Sequence, residues 1–497
     1  MRTAGALLFV VLGGIPLRAQ ETRAQEIRAQ ETGAQETIGE ACPADALRIR
    51  PDQSLGMAVN LNPPGASFCI LAGLHRLEFA TPKTGQSFFG EPGAILSGAK
   101  ILTGFKQVGQ GWAAPSEVVP DAKARGVCAR GYEACRLAVG VFVDGVPLRQ
   151  VASRELLRAG SFFHDRVKRQ IVLSDPPGEK LVEVAVVPFA FQGSADKVTI
   201  RGLVIEKYAN PPQEGAVRGD GRGWRVEKSE LRLNNGAGVS VGPDGAIVKS
   251  RIHHNGQIGA TADGANILLE GNEIWSNNIY GFDPSWDAGG VKITVSSQVV
   301  FRDNHVHHNN GPGLWCDERC EDVLFEGNLV EFNQSAGIFF ELSSRAVIRR
   351  NTLRENNQAG ASWFWGAEIQ IAASDYAEIY ENTLIVRDSG RGVMLIDQNR
   401  WKVGGGFYKT QGNRVHHNDV TFLGTGATGG VSSSDPAAEN FAIIAKGGNT
   451  FDHNTYRVLG SRAPIFAWDT APMDFASFRS RGQEPNGRVI AGAPRAP

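Results

Sequence analysis

The stretches ILLEGNEIWSNNIYG (267–281), VVFRDNHVHHNNGPG (299–313) and VLFEGNLVEFNQSAG (323–337) share one frame: an apolar run, an asparagine, a second asparagine five positions on, and a glycine shortly after. The frame extends through Asn272/Asn277, Asn304/Asn309, Asn328/Asn333, Asn351/Asn356, Asn413/Asn418 and Asn449/Asn454, with Ser250/Asn255 in the same phase. From Ser250 to Asn351 the pairs recur at 22, 32, 24 and 23 residues. Short β-type segments lie between these marks, bounded by Asn, Gly and Asp. A unit of about 22 residues with no helical period cannot bury its own apolar residues, so it has to stack on its neighbours. A parallel coil meets that requirement. Each turn's strands pair with the next at about 4.8 Å, and equivalent asparagines pile into ladders of side-chain amides. The leucine-rich solenoid has a similar period, but its LxxLxLxxN frame is missing, and a propeller needs four strands per ~40 residues. The expectation is an all-β chain, a right-handed parallel β-helix over residues 196–460.

The quoted frame resembles the right-handed parallel β-helix repeat family, within the pectate-lyase-like superfold. That superfold hosts lyases, hydrolases, epimerases and adhesins, so the resemblance implies a fold and leaves the chemistry open. Upstream, ILAGLHR (70–76) and FFGEPGAILSG (88–98) look like first coils and a cap, within residues 42–104. Residues 105–195 break the period and contain Asp144-Gly145, a hairpin signal between alternating strands. They read as a small inserted β module, similar to inserts in secreted β-helix carbohydrate enzymes. Residues 461–497 form a tail.

At the N-terminus, Met1-Arg2, an apolar run from Ala4 to Leu17 and Arg18-Ala19-Gln20 give the pattern of a secretory signal over residues 1–20. The polar pentapeptide repeat RAQET that follows, within residues 21–41, reads as a linker. No segment is long enough for a bilayer span of ~20 residues. A formal net charge of −1 gives no electrostatic case for nucleic acid or an anionic surface. Six cysteines fit export to a secreted, periplasmic or extracellular setting. Proximity pairs Cys42 with Cys69, Cys128 with Cys135 and Cys316 with Cys320, although six cysteines allow fifteen connectivities.

Counting four residues past the repeat glycines reaches Gly242, Asp263, Ser285, Asp317 and Glu341. Residues at one register of a β-helix stack on one face, so Asp263, Asp317 and Glu341 should form an exposed acidic stripe. The enlarged 32-residue interval carries Asp283, Asp287 and Lys292, and counting back from its asparagine pair sets Lys292 within a residue of the stripe. Stacked carboxylates repel, by ~3 kcal/mol at an effective dielectric of about 20. A lysine, a bound cation such as Ca2+, or a raised pKa would offset this. Trp286, Trp315, Trp363 and Trp365 accompany the stripe, as aromatics do in sugar-binding grooves.

Tyr280-Gly-Phe-Asp-Pro284 is similar to the Tyr-Gly-Phe-Asp-Pro-His stretch of mannuronan C5-epimerases. The resemblance implies catalytic roles for Tyr280 and Asp283, with Ser285 where that family has histidine. His253, His254, His307 and His308 sit at turns, as fillers or as catalytic groups. The expectation is a polysaccharide lyase, epimerase or glycoside hydrolase. In the first two, Lys292 or Tyr280 takes a C5 proton while a cation on Asp317 and Glu341 neutralises the uronate. In a hydrolase two carboxylates share the work. The alternative is a non-catalytic glycan-binding solenoid.

Overall fold

A computed structural model describes residues 38–118, 125–137, 139–432, 443–459, 465–469 and 471–492. The signal and the pentapeptide repeat lie outside the described residues.

Each coil contributes strands to three parallel faces. Lys292 lies on the first, whose strands run from Phe191–Gly193 through Gly215–Gly219, Ala237–Val241, Leu314–Asp317 and Ile338–Glu341 to Ala367–Ala372 and beyond. Strands Ile258–Glu270 and Gly289–Arg302 run through the bend into the second face, which fuses the two, among the described residues, into one 23-stranded sheet. Among the described residues the third face is a 13-stranded sheet that includes Glu273–Trp275, His305–His307 and Leu329–Glu331 and runs on to Arg488–Ala491, so the coil continues into the residues read from sequence as a tail. Alternation along each strand sends every second residue inward. Ile252, Ile274, Val306 and Val330 thus stack in the core with Ile293, Leu314, Ile338 and the rings of Phe301 and Phe325, which lie 4.6 Å apart.

Asparagines close the corners in two long ladders. In one, Asn272, Asn304, Asn328, Asn351, Asn382 and Asn418 each pass their amide to the next asparagine oxygen at 2.9–3.0 Å, and Asn454 passes its own to Glu484 at 2.6 Å. The other runs Asn234, Asn255, Asn277, Asn309, Asn333 and Asn356, and it ends on Glu368. The residue before each ladder asparagine forms the corner at positive φ, as at Asp303 (53°), Gly327 (69°) and Arg350 (55°). The sequence frame slips beyond Asn356. Asn418 and Asn454 continue the ladder of Asn272, while Asn413 and Asn449 form a separate column starting at Ala377. Glu368 ends the second ladder, and the next pairs of asparagines occupy a different pair of corners.

Strand Ser87–Gly90 pairs with Ser67–Ile70 on one side and Thr199–Arg201 on the other, and Ala94–Ser97 pairs with Val204–Glu206. The residues between therefore leave and re-enter between two stacked coils. They form a four-stranded and a five-stranded sheet with their own core of Phe162, Ile171, Leu173, Val182 and Val184. Asp144 and Gly145, at φ 48° and 80°, make the two-residue turn their sequence implies. The N-terminal end is covered by helix Leu55–Leu61, with Leu55 and Val59 buried against the first coils. The bridges are Cys42–Cys69, Cys128–Cys135 and Cys316–Cys320. Among the described residues no helix is long and apolar enough to cross a membrane.

Candidate active site

The outward side of the first face holds the charged cluster. On Gly289–Arg302, Val291 and Ile293 point into the core, so Lys292 and Thr294 point out. Lys292 stacks between Thr261 and Trp315, and Thr294 stands opposite Asp317. Lys292 is therefore two positions from the register of Asp317, one step further than the sequence count placed it, because the enlarged coil enters its strand at Gly289. Cys316 pairs with Phe340, which sets Asp317 and Glu341 next along adjoining strands. The outward column ends there, since Glu341 pairs with Ala372 and Ala372 with Ile396.

Lys292 Nζ is 2.5 Å from Asp287 Oδ1, 2.9 Å from Asp317 Oδ2 and 2.8 Å from the Trp286 carbonyl oxygen, and it lies 3.6 Å from the centre of the Trp315 ring. Burial acts to lower the pKa of this ammonium, but the Asp317 and Asp287 carboxylates outweigh it and hold the value above the usual lysine range. Burial raises the Asp287 carboxyl against the pull of Lys292, and the Gln213 amide bonds the same group. Glu341 is the most perturbed member. Burial and then the Asp317 charge push its carboxyl up to about 7, against Arg400, whose guanidinium is 3.0 Å away, and Lys292. Of the offsets the sequence left open, the structure places a lysine, Lys292, beside Asp317 and a raised carboxyl pKa at Glu341, and it adds Arg400 as a second cation.

The stripe was expected to be exposed, but Lys292, Asp317 and Glu341 are only 7%, 5% and 7% exposed. Apolar residues on the outward face explain this. Trp315, Phe339, Met394 and Ile396 form a second hydrophobic layer with Phe364 and Trp365 against it, and the segment after Asp397 brings Arg400 over Glu341. Trp315 is therefore a floor beneath Lys292, 2% exposed and stacked on Phe339, and cannot serve as a free platform for a sugar. Trp363 is more accessible, at 39%. Asp263, at a register shift of its strand, is exposed.

An open cavity of about 310 Å³ adjoins the cluster, lined by Gln213, Arg218, Asp220, Asp263, Asp287 and Lys292, among others. Sequence reading missed Gln213, Arg218, Asp220 and Arg400. The 62-residue gap between the pairs Asn351/Asn356 and Asn413/Asn418, longer than two ordinary coils, was the available sign of an enlarged segment such as the one that carries Arg400.

Tyr280 and Asp283 stand apart. The Tyr280 hydroxyl donates to Asn235 Oδ1 at 3.2 Å, and burial pushes its phenol up. Asp283 Oδ1 accepts from Ser285 N and Oγ in a local turn. None of the hydrogen bonds or ion pairs found among the described residues links either to Lys292, Asp317 or Glu341. Their surroundings come from the inserted module. Ala129 N donates to Gly281 O, Asp283 N donates to Val127 O, and Gly281 (φ 73°) lies so close to Tyr132 that a Cβ there would meet ring carbon at 2.2 Å.

Residues 215–384 match the family described as the right handed beta helix region. The structure of XylC in complex with xylose superposes with a TM-score of 0.61 at 15% identity, covering 88% of this chain and 82% of that one. The A-module of the Azotobacter vinelandii mannuronan C-5 epimerase AlgE6 gives 0.47 at 13% identity, covering 88% and 94%. No curated protein sequence matches. The chain is a right-handed parallel β-helix protein.

Proposed function

We propose that this is an exported carbohydrate-active protein, and that the charged cluster beside the cavity hydrolyses a glycosidic bond with Glu341 as proton donor and Asp317 as the partner carboxylate. The observation that carries the reading is one juxtaposition: Glu341, its carboxyl pushed up to about 7, sits in register beside an Asp317 that is ion-paired to Lys292. Neighbouring carboxyl groups in contrasting environments are the acid and base arrangement of glycoside hydrolysis. Adjoining strands lie about 4.8 Å apart, close to the ~5 Å separation of retaining enzymes. A lyase or epimerase is less well supported. Lys292, tied to two carboxylates with its pKa raised, is a poor base, and Tyr280 is buried with a raised pKa. The disulfides support a non-reducing compartment.

The second reading is glycan binding without turnover, and the ion pair of Arg400 over Glu341 favours it. Reducing-end release on a panel of neutral and acidic polysaccharides separates the two. With a responsive substrate, Asp317→Asn and Glu341→Gln should each lower kcat by about 100-fold or more. New ultraviolet absorbance on uronate polymers would turn the assignment to a lyase. Turnover unchanged in both variants would move the active site elsewhere.

A further inference from the structure

We infer that a second site, on the third face of the solenoid, binds a divalent transition ion through Glu273, His305 and His307. The three side chains come from adjoining coils, because Glu273 pairs with His305 and Trp275 with His307. One ligand atom of each lies within 4.8 Å of the others. Ligand atoms around a tetrahedral zinc ion at about 2.0–2.1 Å stand about 3.3 Å apart, so the set has to contract by at most about 1.5 Å to hold an ion.

A separate observation points to a ligand. Among the described residues, His307 Nε2 is buried and makes no hydrogen bond of good geometry, its charged neighbour Glu273 Oε1 standing in ion-pair contact at 3.5 Å. A buried ring nitrogen held only by so long a contact is costly unless something completes it. The surroundings hold both imidazoles in place. His307 Nδ1 is 2.9 Å from His308 Nδ1, and the His307 ring stacks parallel to Trp275 at 5.9 Å. His305 Nε2 is 3.0 Å from Glu331 Oε1, and Arg354 Nε holds the other oxygen of Glu331 at 2.7 Å. Partners of this kind orient metal-binding histidines.

The side chains of Glu273 and His305 are 45% and 38% exposed while that of His307 is 12%, so an ion reaches the inner nitrogen from solvent and keeps open coordination positions. Two imidazoles and a carboxylate suit Zn2+ or Ni2+ better than Ca2+, which takes oxygen ligands. An ion here would tie the enlarged coil to its neighbour, on a face other than that of the acidic groove.

The test is titration of tag-free, full-length protein with Zn2+ at pH 7.5 by isothermal calorimetry. Wild type should show one saturable site. His307→Ala and His305→Ala should each weaken it at least tenfold with an unchanged circular dichroism spectrum. His416→Ala, in a histidine pair further along the solenoid, should leave it intact. Because His305 is half-exposed, its variant remains informative should His307→Ala fail to fold. No saturable uptake by wild type, or equal affinity in wild type and His305→Ala, overturns the proposal.

Discussion

At the residue scale the groove is governed by Lys292 and the acids it neutralises. Removing one partner of a buried ion pair typically costs about 3–5 kcal/mol, because the remaining charge is left uncompensated. Lys292 is 7% exposed and holds two carboxylates, so Lys292→Ala should destabilise the fold by roughly that amount. The loss should be larger at pH 8 than at pH 5, where the orphaned acids take up protons. Urea denaturation at both pH values measures it, and equal stability to wild type would refute the buried triad. Glu341 sets a second pH dependence. Its pKa rises from 4.5 to about 7 on folding, so the folded chain binds the extra proton between those values, and stability declines as pH climbs through that window. Glu341→Gln should flatten this segment of the profile. In the hydrolase reading kcat/KM should also fall above about pH 7 as the proton donor ionises. Much of this cluster was legible in the sequence, since constant spacing from the repeat glycines picks out Asp317 and Glu341. Arg400 and Gln213 were not, because their positions depend on the path of segments that obey no repeat. The burial of Trp315 carried a signal that went unread: Phe339, Met394 and Ile396 occupy outward positions where a solvated face would have polar groups.

At the scale of the element, the ladders decide whether a coil can sit on its neighbour. Asn328 Oδ1 accepts from both the backbone and the side-chain amide of Asn304, while its own amide reaches Phe301 O and Asn351 Oδ1. Leucine there removes these four bonds and leaves the backbone amide of Asn304 without its acceptor, at about 1–3 kcal/mol for each group left unsatisfied, while Asn351 Oδ1 keeps the Asn328 backbone amide. Asn328→Leu should therefore lower the melting temperature sharply, and the nearly isosteric Asn328→Asp, which keeps the acceptor for Asn304 but turns a buried carboxyl oxygen toward Phe301 O and Asn351 Oδ1, should lower it as well. Scanning calorimetry of the two variants distinguishes a hydrogen-bonded ladder from mere steric filling. The ladder was visible in the spacing of five residues. Its slip past Asn356 was not, because a pair five apart looks the same whichever corner it occupies, and Asn382, which has no partner five positions away, carried no mark at all.

Across the whole molecule, each coil touches mainly those above and below, so stability should be graded along the axis. Backbone amides of strands such as Glu273–Trp275 and Leu329–Glu331 should exchange slowest by hydrogen–deuterium mass spectrometry, and those of Arg488–Ala491 fastest among the third-face strands. Uniform protection from end to end would indicate one all-or-none unit instead. Parallel stacking also gives the ladders a direction. Every asparagine donates toward the C-terminal end and accepts from the N-terminal side, so the side-chain amides form a column of aligned dipoles whose positive pole faces Glu368 in one ladder and Glu484 in the other. A carboxyl group at that pole presents acceptors and lacks the amide needed to hand the pattern on. Each glutamate therefore works as a stop mark, defining where the amide column can no longer serve as a template for one more coil.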